Sequence, residues 1–285
     1  TRKPLQEIST ERLAAIKTQP NKESIMHSVL KTSVAVGLAF NACLSASASA
    51  ANASQRWDAA YEPQVFEGMP CRVMKPLEFD SKISYPVIVS LHGAGGKGTN
   101  NNKQLKDWNR QLAEQQRRKD FPCYVVAPQA TGLWNAEHLE KIKVLIKGLP
   151  SVDMDRIYIM GHSMGGHGTY IFIQLDPGYF AAAAPAAGSG RKTSEDFIDP
   201  AKIKDLPIWA FHGDKDGICP IARDLEVLAE MKKLGGNMKL TTWAGDKHAI
   251  SGKMIVATDN GTTEISSDRC DREPDFITWL FKQKR

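Results

Sequence analysis

The chain has 285 residues, of which 42% are hydrophobic and 24% charged, and this composition is typical of a globular protein with one large domain or two small ones. The longest stretch that is poor in charge, residues 32–54, is mostly alanine and serine, so a protein with several membrane spans is excluded. The first fifty residues hold six basic and three acidic residues, so residues 51–285 carry only +2 of the net charge of +5. The sequence contains no run of basic residues of the kind that would indicate a nucleic-acid partner.

The N-terminal segment has the pattern of an export signal. Residues 26–31 (MHSVLK) resemble a short basic region, residues 34–40 (VAVGLAF) form an apolar stretch, and Ala48-Ser49-Ala50 is a small-residue cleavage site. We therefore predict a signal peptide at residues 26–50, cleaved near Ala50, and a secreted or periplasmic protein without an integral membrane span. Residues 1–25 are polar and are predicted to be an upstream or non-native extension. Residues 51–285 are predicted to form one domain.

From residue 71 onward, short apolar runs alternate with helical patterns, which predicts a mostly parallel sheet with helices on both faces. Several of the runs are continuously hydrophobic, as is typical of strands covered on both sides. The predicted strands are residues 71–74, 87–91, 124–127, 157–160, 180–184, 208–211 and 240–243. Helical spacing of apolar residues predicts helices over residues 105–118 and 139–149, after Pro220, and at the end of the chain after Pro274.

The most informative motif is Gly161-His162-Ser163-Met164-Gly165, which follows an apolar strand and precedes a helix. The turn between strand and helix is so tight that side chains two residues before and after the serine would collide with neighbouring backbone. The serine hydroxyl is thereby exposed at the strand tip, next to the unpaired N–H groups of a helix start. The motif therefore predicts that Ser163 is a nucleophile.

A serine hydroxyl needs a base to take its proton and an acid to orient that base. In this topology the acid and then the histidine should follow the serine, each at a strand end. The run 208–211 leads into a loop with two candidate acids, Asp214 and Asp216, which the residues alone do not separate. His248 is the only histidine downstream of them, so the pattern predicts it as the base.

A glycine-rich segment, His92-Gly93-Ala94-Gly95-Gly96, follows an earlier strand and is predicted to supply an oxyanion hole. Its small residues let backbone N–H groups approach a substrate oxygen closely. One donor is expected from this segment and the other from the N–H of Met164. Nucleotide binding is disfavoured, because the segment lacks the continuation of a phosphate-binding loop.

These motifs resemble the α/β-hydrolase superfamily, and more narrowly the secreted esterases of the polyhydroxybutyrate-depolymerase-like and feruloyl-esterase-like group, with the related predicted peptidases. The similar blocks are YPVIVSLHGAGGKG, VVAPQ, VDMDRIYIMGHSMGGHGTY, YFAAAAPAAG, PIWAFHGDKD and DFITWLF. The resemblance covers most of the chain from Cys71 to the end. It implies an α/β-hydrolase fold, and the segment 190–206 leaves no room for a large helical cap.

The resemblance also implies roles for individual residues. The acid is the aspartate of an HGxxD pattern, here Asp216, and the oxyanion donors are the backbone N–H groups of Ala94 and Met164. Trp134 lies where relatives place an aromatic against the substrate, with packing in a surface loop as the alternative. After His248 the chain departs from the family's usual pattern, and a polar segment, residues 251–272, precedes the last helix.

Export would place the four cysteines after residue 50 in an oxidising compartment. We expect Cys219 and Cys270 to form a disulfide that ties the acid loop to the segment after His248. Cys71 and Cys123 are expected on neighbouring antiparallel strands but at opposite ends, and therefore not to pair.

Taken together, the motifs predict a serine esterase with the triad Ser163, His248 and Asp216 and an acyl-enzyme intermediate, needing no metal or organic cofactor. The predicted partner is an ester substrate, whether short-chain, polysaccharide-linked or polymeric. The acyl and alcohol groups and the oligomeric state stay open. Two alternatives are a serine peptidase on the same fold and a non-catalytic carbohydrate- or polymer-binding protein with a degenerate hydrolase fold.

Overall fold

The computed structural model describes residues 56–190, 197–256 and 260–285. The predicted signal peptide and the segment before it lie outside the described residues. The described part of the chain belongs to one compact unit. None of its helices is long and apolar enough to cross a membrane.

Nine strands form one sheet in the order β1-β2-β4-β3-β5-β6-β7-β8-β9. Strands β3 to β8 run parallel where they are neighbours, whereas β1, β2 and β9 pair antiparallel. Every predicted strand is confirmed within a few residues. Strands β1 to β9 are Tyr61–Phe66, Met69–Met74, Tyr85–Leu91, Tyr124–Pro128, Val152–His162, Ala182–Ala186, Ile208–Gly213, Met238–Trp243 and Gly261–Ile265.

Helices cover both faces of the sheet, as predicted. The α-helices of the described residues, α1 to α7, are Asp107–Leu112, Gln115–Asp120, Ala136–Lys147, Met164–Leu175, Pro200–Ile203, Ala222–Lys233 and Phe276–Lys282. The helix predicted over residues 105–118 is instead two short helices, because the backbone of Glu114 is extended at ψ 131°. Among the described residues between β6 and β7, the four-residue α5 is the single helix, and these residues contain no cap.

The central strands are buried on both faces because their side chains point alternately into two apolar clusters. On β5, Ile157 and Ile159 join the cluster beneath α3, α4 and α6, whereas Tyr158 and Met160 join the cluster beneath α1 and α7. Burial on both sides fixes the register, since a slip of one residue would exchange the faces. The sheet therefore holds the carboxyl ends of β3, β5, β7 and β8 at one edge.

Candidate active site

Ser163 lies in the turn between β5 and α4 with φ 59° and ψ −120°, a conformation that residues with a side chain rarely adopt. Gly161 and Gly165, two positions before and after Ser163, must be glycines because the neighbouring backbone leaves no room for a side chain. A Cβ on Gly161 would lie 2.4 Å from the carbonyl oxygen of Gly165, and one on Gly165 would lie 2.0 Å from that of Leu91. The predicted tight turn is thus confirmed, and it presents the serine hydroxyl at the edge of the sheet.

A continuous hydrogen-bonded chain joins the three residues that the sequence predicted as a triad. Ser163 Oγ lies 2.8 Å from His248 Nε2, and His248 Nδ1 lies 2.7 Å from Asp216 Oδ2. Since a carboxylate only accepts, His248 Nδ1–H donates to Asp216 and Nε2 is free to accept the serine proton. This arrangement can carry a proton from the hydroxyl to the imidazole.

The structure separates the two candidate acids. Asp216 has a fully buried carboxylate, and its Oδ1 accepts the N–H groups of Ile218 and Cys219 at 2.8 and 2.9 Å. Burial alone would raise the pKa of Asp216, but the hydrogen bond from His248 and these two N–H groups outweigh it and lower the pKa. Asp214 instead accepts the N–H of Gly245 at 2.7 Å. Asp216 is therefore the carboxylate beside His248.

A second histidine stands behind Asp216, and the sequence reasoning missed it. His212 is fully buried, with Nε2 2.7 Å from the carbonyl oxygen of Cys219 and 3.2 Å from Asp216 Oδ2. Its Nδ1 lies 2.5 Å from Asp224, which also accepts a hydrogen bond from the hydroxyl of Tyr170 at 2.9 Å. Burial would lower the pKa of His212, but the hydrogen bond and charge of Asp224 outweigh it and raise the pKa. His212 therefore links Asp216 and Asp224 in one buried cluster.

His162, next to Ser163, fixes the position of His248. Its Nε2–H donates to the backbone carbonyl of His248 at 2.6 Å. Burial lowers the pKa of His162 to about 4, so the ring is neutral at pH 7. A neutral ring carries one N–H, and it is this N–H that donates to His248. No sequence signal marked this residue, since its partner is a backbone atom 86 positions away.

The oxyanion segment after β3 is held in place by His92 beneath it. His92 Nδ1–H donates to the carbonyl of Gly93 at 2.7 Å, and Nε2 accepts the N–H of Ala130 at 3.0 Å. Ala94 begins a short 3-10 turn over this ring, and Met164 is the first residue of α4. Among the described residues, no hydrogen bond engages the N–H of Ala94 or Met164. Both donors are therefore available beside Ser163.

Two cavities flank the serine hydroxyl. The first, of about 330 Å³, is here called the Leu133 cavity; it is lined by Leu133, Met164, His167, Gly188 and Gly190, and also by Lys97 and Cys219. The second, of about 320 Å³, is called the His248 cavity and is lined by His248, His162, Gly93, Gly95, Lys106 and Ile218. Ser163 and Ala94 line both, so the two cavities meet at the serine.

Trp134, expected against the substrate, lies in the core instead. Its side chain is only 2% exposed, its Nε1–H donates to the carbonyl of His92 at 3.2 Å, and its ring packs against Phe172. The alternative of a packing role therefore describes Trp134 better. The neighbouring Leu133 is 65% exposed and takes the place in the cavity wall that was expected of the tryptophan.

The expected disulfide between Cys219 and Cys270 is wrong, because no disulfide joins the cysteines of the described residues. The thiol of Cys270 donates to the carbonyl of Met238 at the start of β8, whereas Cys219 follows the end of the parallel strand β7. Six residues of strand, at about 3.3 Å each, separate these two ends. A disulfide requires Cα atoms within about 7 Å.

Cys71 and Cys123 lie on β2 and just before β4, which are antiparallel neighbours as predicted. Cys71 faces Pro128 at the far end of β4 from Cys123, so the register keeps the two thiols apart. Burial raises the pKa of both thiols to about 12. Within the described part of the chain, no group of histidine, cysteine and acidic side chains has the arrangement of a metal site.

The parallel sheet, the serine at a strand-to-helix turn, and the aspartate and histidine at later strand ends define the α/β-hydrolase class. Within that class, the chain belongs to the dienelactone hydrolase family, whose model matches residues 109–254, about half of the chain. No curated protein matches the chain.

Several solved structures have a similar fold. A thermostable esterase is 28% identical with a TM-score of 0.63, and the match covers 80% of this chain and 64% of the esterase. An acylaminoacyl peptidase from Pyrococcus horikoshii is 19% identical with a TM-score of 0.53, over 67% of this chain and 38% of the peptidase. A ferulic acid esterase from Anaeromyces mucronatus is 16% identical with a TM-score of 0.50, over 67% of this chain and 84% of the esterase. The chain thus spans less than two thirds of the first two proteins.

Proposed function

We propose that this hydrolase is a serine esterase that cleaves carboxylic esters through an acyl-enzyme. The observation that carries the proposal is the hydrogen-bonded chain from Ser163 through His248 to Asp216. Nucleophilic catalysis by serine needs a hydroxyl, a base and an acid that orients the base, and the three residues supply these groups from three separate strand ends. A degenerate binding protein would have no reason to keep this chain intact.

In the proposed mechanism, His248 Nε2 takes the hydroxyl proton as Ser163 Oγ attacks the ester carbonyl carbon. The N–H groups of Ala94 and Met164 stabilise the negative charge that develops on the carbonyl oxygen. His248 then gives the proton to the leaving alcohol oxygen as the ester bond breaks. Water repeats the sequence on the acyl-enzyme, and Asp216 holds the imidazole in the Nδ1–H tautomer throughout.

The proposal is tested by the Ser163→Ala variant with an aryl ester such as 4-nitrophenyl butyrate. Loss of the nucleophile should lower kcat/KM at least about 1000-fold. A fluorophosphonate probe should label the wild type once, at Ser163, and leave the variant unlabelled. Turnover by Ser163→Ala at the wild-type rate would falsify the assignment, and an unlabelled wild type would favour the non-catalytic alternative.

The chain offers a matched pair for the role of Asp216. Asp216→Asn should lower kcat/KM about 10³- to 10⁴-fold, because an amide beside Nδ1 no longer selects the productive tautomer. Asp214→Asn removes the same charge two residues away, where the carboxylate accepts the N–H of Gly245 and lies 3.9 Å from the exposed ammonium of Lys215. It should change kcat/KM less than about threefold. Equal effects of the two substitutions would contradict the assignment.

The peptidase alternative uses the same residues and is supported by the structural similarity to acylaminoacyl peptidases. An amide has a worse leaving group than an ester, so the two functions differ in how strongly the site must promote departure of that group. The test compares an ester with its matched amide, at the same acyl group. We expect the ester to be cleaved at least about 1000-fold faster, and a comparable rate on the amide would favour the peptidase.

We further propose that the substrate can be bulky or polymeric, because no cap of the described residues covers the serine and both cavities open to the surface. A panel of aryl esters of increasing chain length, acetylated xylan, feruloyl esters and a polyester film would identify the preferred class.

The export signal at residues 26–50 is likewise a proposal. It predicts that a secreted mature protein begins at residue 51, which mass spectrometry of its N-terminus would test.

A further inference from the structure

The peptide group between Gly93 and Ala94 carries one of the two proposed oxyanion donors, the N–H of Ala94. A trans peptide is planar, and its C=O and N–H point in opposite directions. The carbonyl oxygen of Gly93 accepts two hydrogen bonds, from His92 Nδ1–H at 2.7 Å and from the N–H of Gly96 at 2.9 Å. The groups that hold His92 and Gly96 in place therefore set the direction in which the N–H of Ala94 points.

Gln129 follows strand β4 and holds the turn at Gly96. Its side chain is only 1% exposed, and both N–H groups and the oxygen of its amide are engaged. Nε2 donates to the carbonyl of Gly96 at 2.9 Å and to Asn100 Oδ1 at 3.0 Å, and Oε1 accepts the N–H of Asn101 at 2.6 Å. A carbonyl only accepts and a backbone N–H only donates, so these partners fix the orientation of the amide. One buried side chain thus fastens the segment that directly follows the oxyanion turn.

Ala130, the next residue along the chain, supports the other side of the turn. Its N–H donates to His92 Nε2 at 3.0 Å, and its carbonyl accepts the N–H of Gly98 at 3.1 Å. A Cβ on Gly96 would lie 2.5 Å from His92 Cγ, so the turn packs directly on the imidazole. The two residues after β4 therefore hold both of the donors that bind the carbonyl of Gly93.

We propose that Gln129 is a positioning residue for the oxyanion hole. By holding Gly96, it fixes the plane of the peptide between Gly93 and Ala94. The N–H of Ala94 then points at the oxygen on which negative charge develops. This role rests on the proposed esterase mechanism, in which that charge appears as Ser163 attacks the carbonyl carbon.

Such a role affects the transition state more than the bound substrate. Gln129 lines neither of the two cavities that meet at Ser163, so it acts on the reaction through the turn. An oxyanion donor stabilises charge that is absent from the ground state, and a displacement of about 1 Å can cost about 100-fold in rate. Loss of the Gln129 amide should therefore weaken catalysis and leave the binding of an analogue without a carbonyl unchanged.

Gln174 provides a matched control. It lies near the end of α4, about 15 Å along the helix from Met164. Its Nε2 donates to the carbonyl of Tyr170 at 2.8 Å, and its Oε1 accepts the N–H of Asp199 at 2.8 Å. A loss of general stability would follow either glutamine, whereas a displaced oxyanion donor should follow Gln129 alone.

The experiment measures kcat/KM for 4-nitrophenyl butyrate and inhibition constants for two analogues. Butylboronic acid forms a bond from Ser163 Oγ to boron as the hydroxyl proton passes to His248. The resulting anionic tetrahedral group places an oxygen at the oxyanion position. The second analogue, 4-nitrophenyl butyl ether, has no carbonyl and measures binding alone.

In Gln129→Met we expect kcat/KM to fall, and the inhibition constant of the boronic acid to rise, about 10- to 100-fold. The constant for the ether should stay within about twofold of the wild type. In Gln174→Met all of these values should stay within about threefold. Equal effects of the two substitutions on the boronic acid would overturn the proposal, as would a loss of ether binding equal to the loss of boronic acid binding.

Should Gln129→Met not fold, Asn100→Ala serves in its place, because it removes one exposed acceptor of the Gln129 amide. It should raise the inhibition constant of the boronic acid about two- to fivefold and leave the ether constant unchanged. A boronic acid constant equal to that of the wild type would contradict the role of Gln129.

The boronic acid also separates this role from the proposed function. If the wild type binds it in a way that depends on Gln129 but cleaves no ester, the esterase proposal fails and the oxyanion role stands for another acyl substrate. Ester cleavage with boronic acid binding that does not depend on Gln129 has the opposite meaning. Should the wild type cleave the ester without binding the boronic acid, kcat/KM is compared with the ether constant in the same way. A wild type that neither cleaves the ester nor binds the boronic acid would overturn both proposals.

Discussion

At the scale of single residues, the serine turn combines a costly backbone conformation with glycines that make it possible. A non-glycine residue held at positive φ costs about 1–3 kcal/mol, and the surrounding packing must maintain it. For Ser163 that packing is the contact between the turn and the carbonyl of Leu91, where Gly165 leaves no space for a methyl group. The turn is therefore more sensitive to added volume than to lost contacts.

We predict that Gly165→Ala lowers the free energy of unfolding by about 2–4 kcal/mol, because a methyl group placed against backbone cannot be accommodated by a side-chain rotation. The control is Gly217→Ala, where an added Cβ meets nothing within 4 Å. That variant should stay within about 0.5 kcal/mol of the wild type. Urea denaturation measures both, and equal stability of the two variants would show that the crowding at Gly165 is relieved elsewhere.

Two buried histidines near the serine are neutral in the folded protein, and this makes stability depend on pH. Burial lowers the pKa of His92 and of His162 to about 4. An unfolded chain takes up these protons near pH 6.5, whereas the folded chain resists them until about pH 4. The stability that their neutral forms contribute is complete above pH 6.5 and is lost as the pH falls towards 4.

For His92 we predict the effect of removing the titrating group. His92→Asn should be less stable than the wild type at pH 7.5, since the links to Gly93 and Ala130 are weakened. At pH 5 the difference should be smaller by roughly 2 kcal/mol, because the wild type has by then lost its contribution from neutral His92. Denaturation at the two pH values gives the comparison. A difference that is the same at both would contradict a neutral, protected His92.

The sequence predicted some site residues and missed others for a physical reason. Ser163 stands in a local motif, His248 follows from the order of the triad along the chain, and only the resemblance to the family favours Asp216 over Asp214. His212, Asp224 and Tyr170 act through contacts between distant segments, and a buried histidine has no local signature that reveals its partners. Trp134 shows the converse: its position relative to a strand end was correct, but the direction of its side chain depends on packing against Phe172 and His92.

At the scale of elements, the interior strands could be predicted and the edge strands could not. Interior strands are hydrophobic runs because both of their faces are buried. Strand β1 contains Pro63, and β9 is polar and mostly exposed, so neither has the apolar pattern that marks a strand. Strand β9 lies within the polar segment 251–272 and is defined by its antiparallel pairing with β8. That pairing is a tertiary contact, which the composition of the segment does not predict.

Helix α7 shows how a short element near the chain end is stabilised from both sides. Its apolar face, which includes Phe276 and Trp279, packs against the aromatic rings of Trp209 and Phe211 on β7. At its start, the side chain of Asp275 accepts the N–H of Thr278 at 2.8 Å. Packing therefore holds the helix on the sheet, and the cap satisfies an N–H that would otherwise lack a partner.

We predict that Asp275→Ala lowers the free energy of unfolding by about 1 kcal/mol, the usual contribution of an N-cap side chain. Asp268→Ala is the matched control, because Asp268 is fully exposed and forms only a surface ion pair with Arg272. Its effect should be within about 0.5 kcal/mol of zero. Equal losses in the two variants would mean that charge near the C-terminal segment, rather than the cap, determines the stability.

At the scale of the whole described unit, the sheet brings residues from distant parts of the chain to one edge. Parallel strands have their carboxyl ends together, so the segments after β3, β5, β7 and β8 meet there and bring the oxyanion segment, Ser163, Asp216 and His248 into contact. The order of the motifs along the chain could predict this meeting. It could not predict the cavities, which depend on where Leu133 and Lys106 point.

The cysteines provide a test of how the unit is held together. The four thiols of the described residues are buried and no disulfide joins them, so the packed core rather than a cross-link stabilises this unit. We predict that adding a reductant to protein purified without one leaves Tm unchanged within about 1 °C, since loss of a native disulfide would cost about 2–5 kcal/mol. A loss of that size would lower Tm by several degrees in a unit of this length. A fall of that extent on reduction would contradict a unit that its packed core alone stabilises.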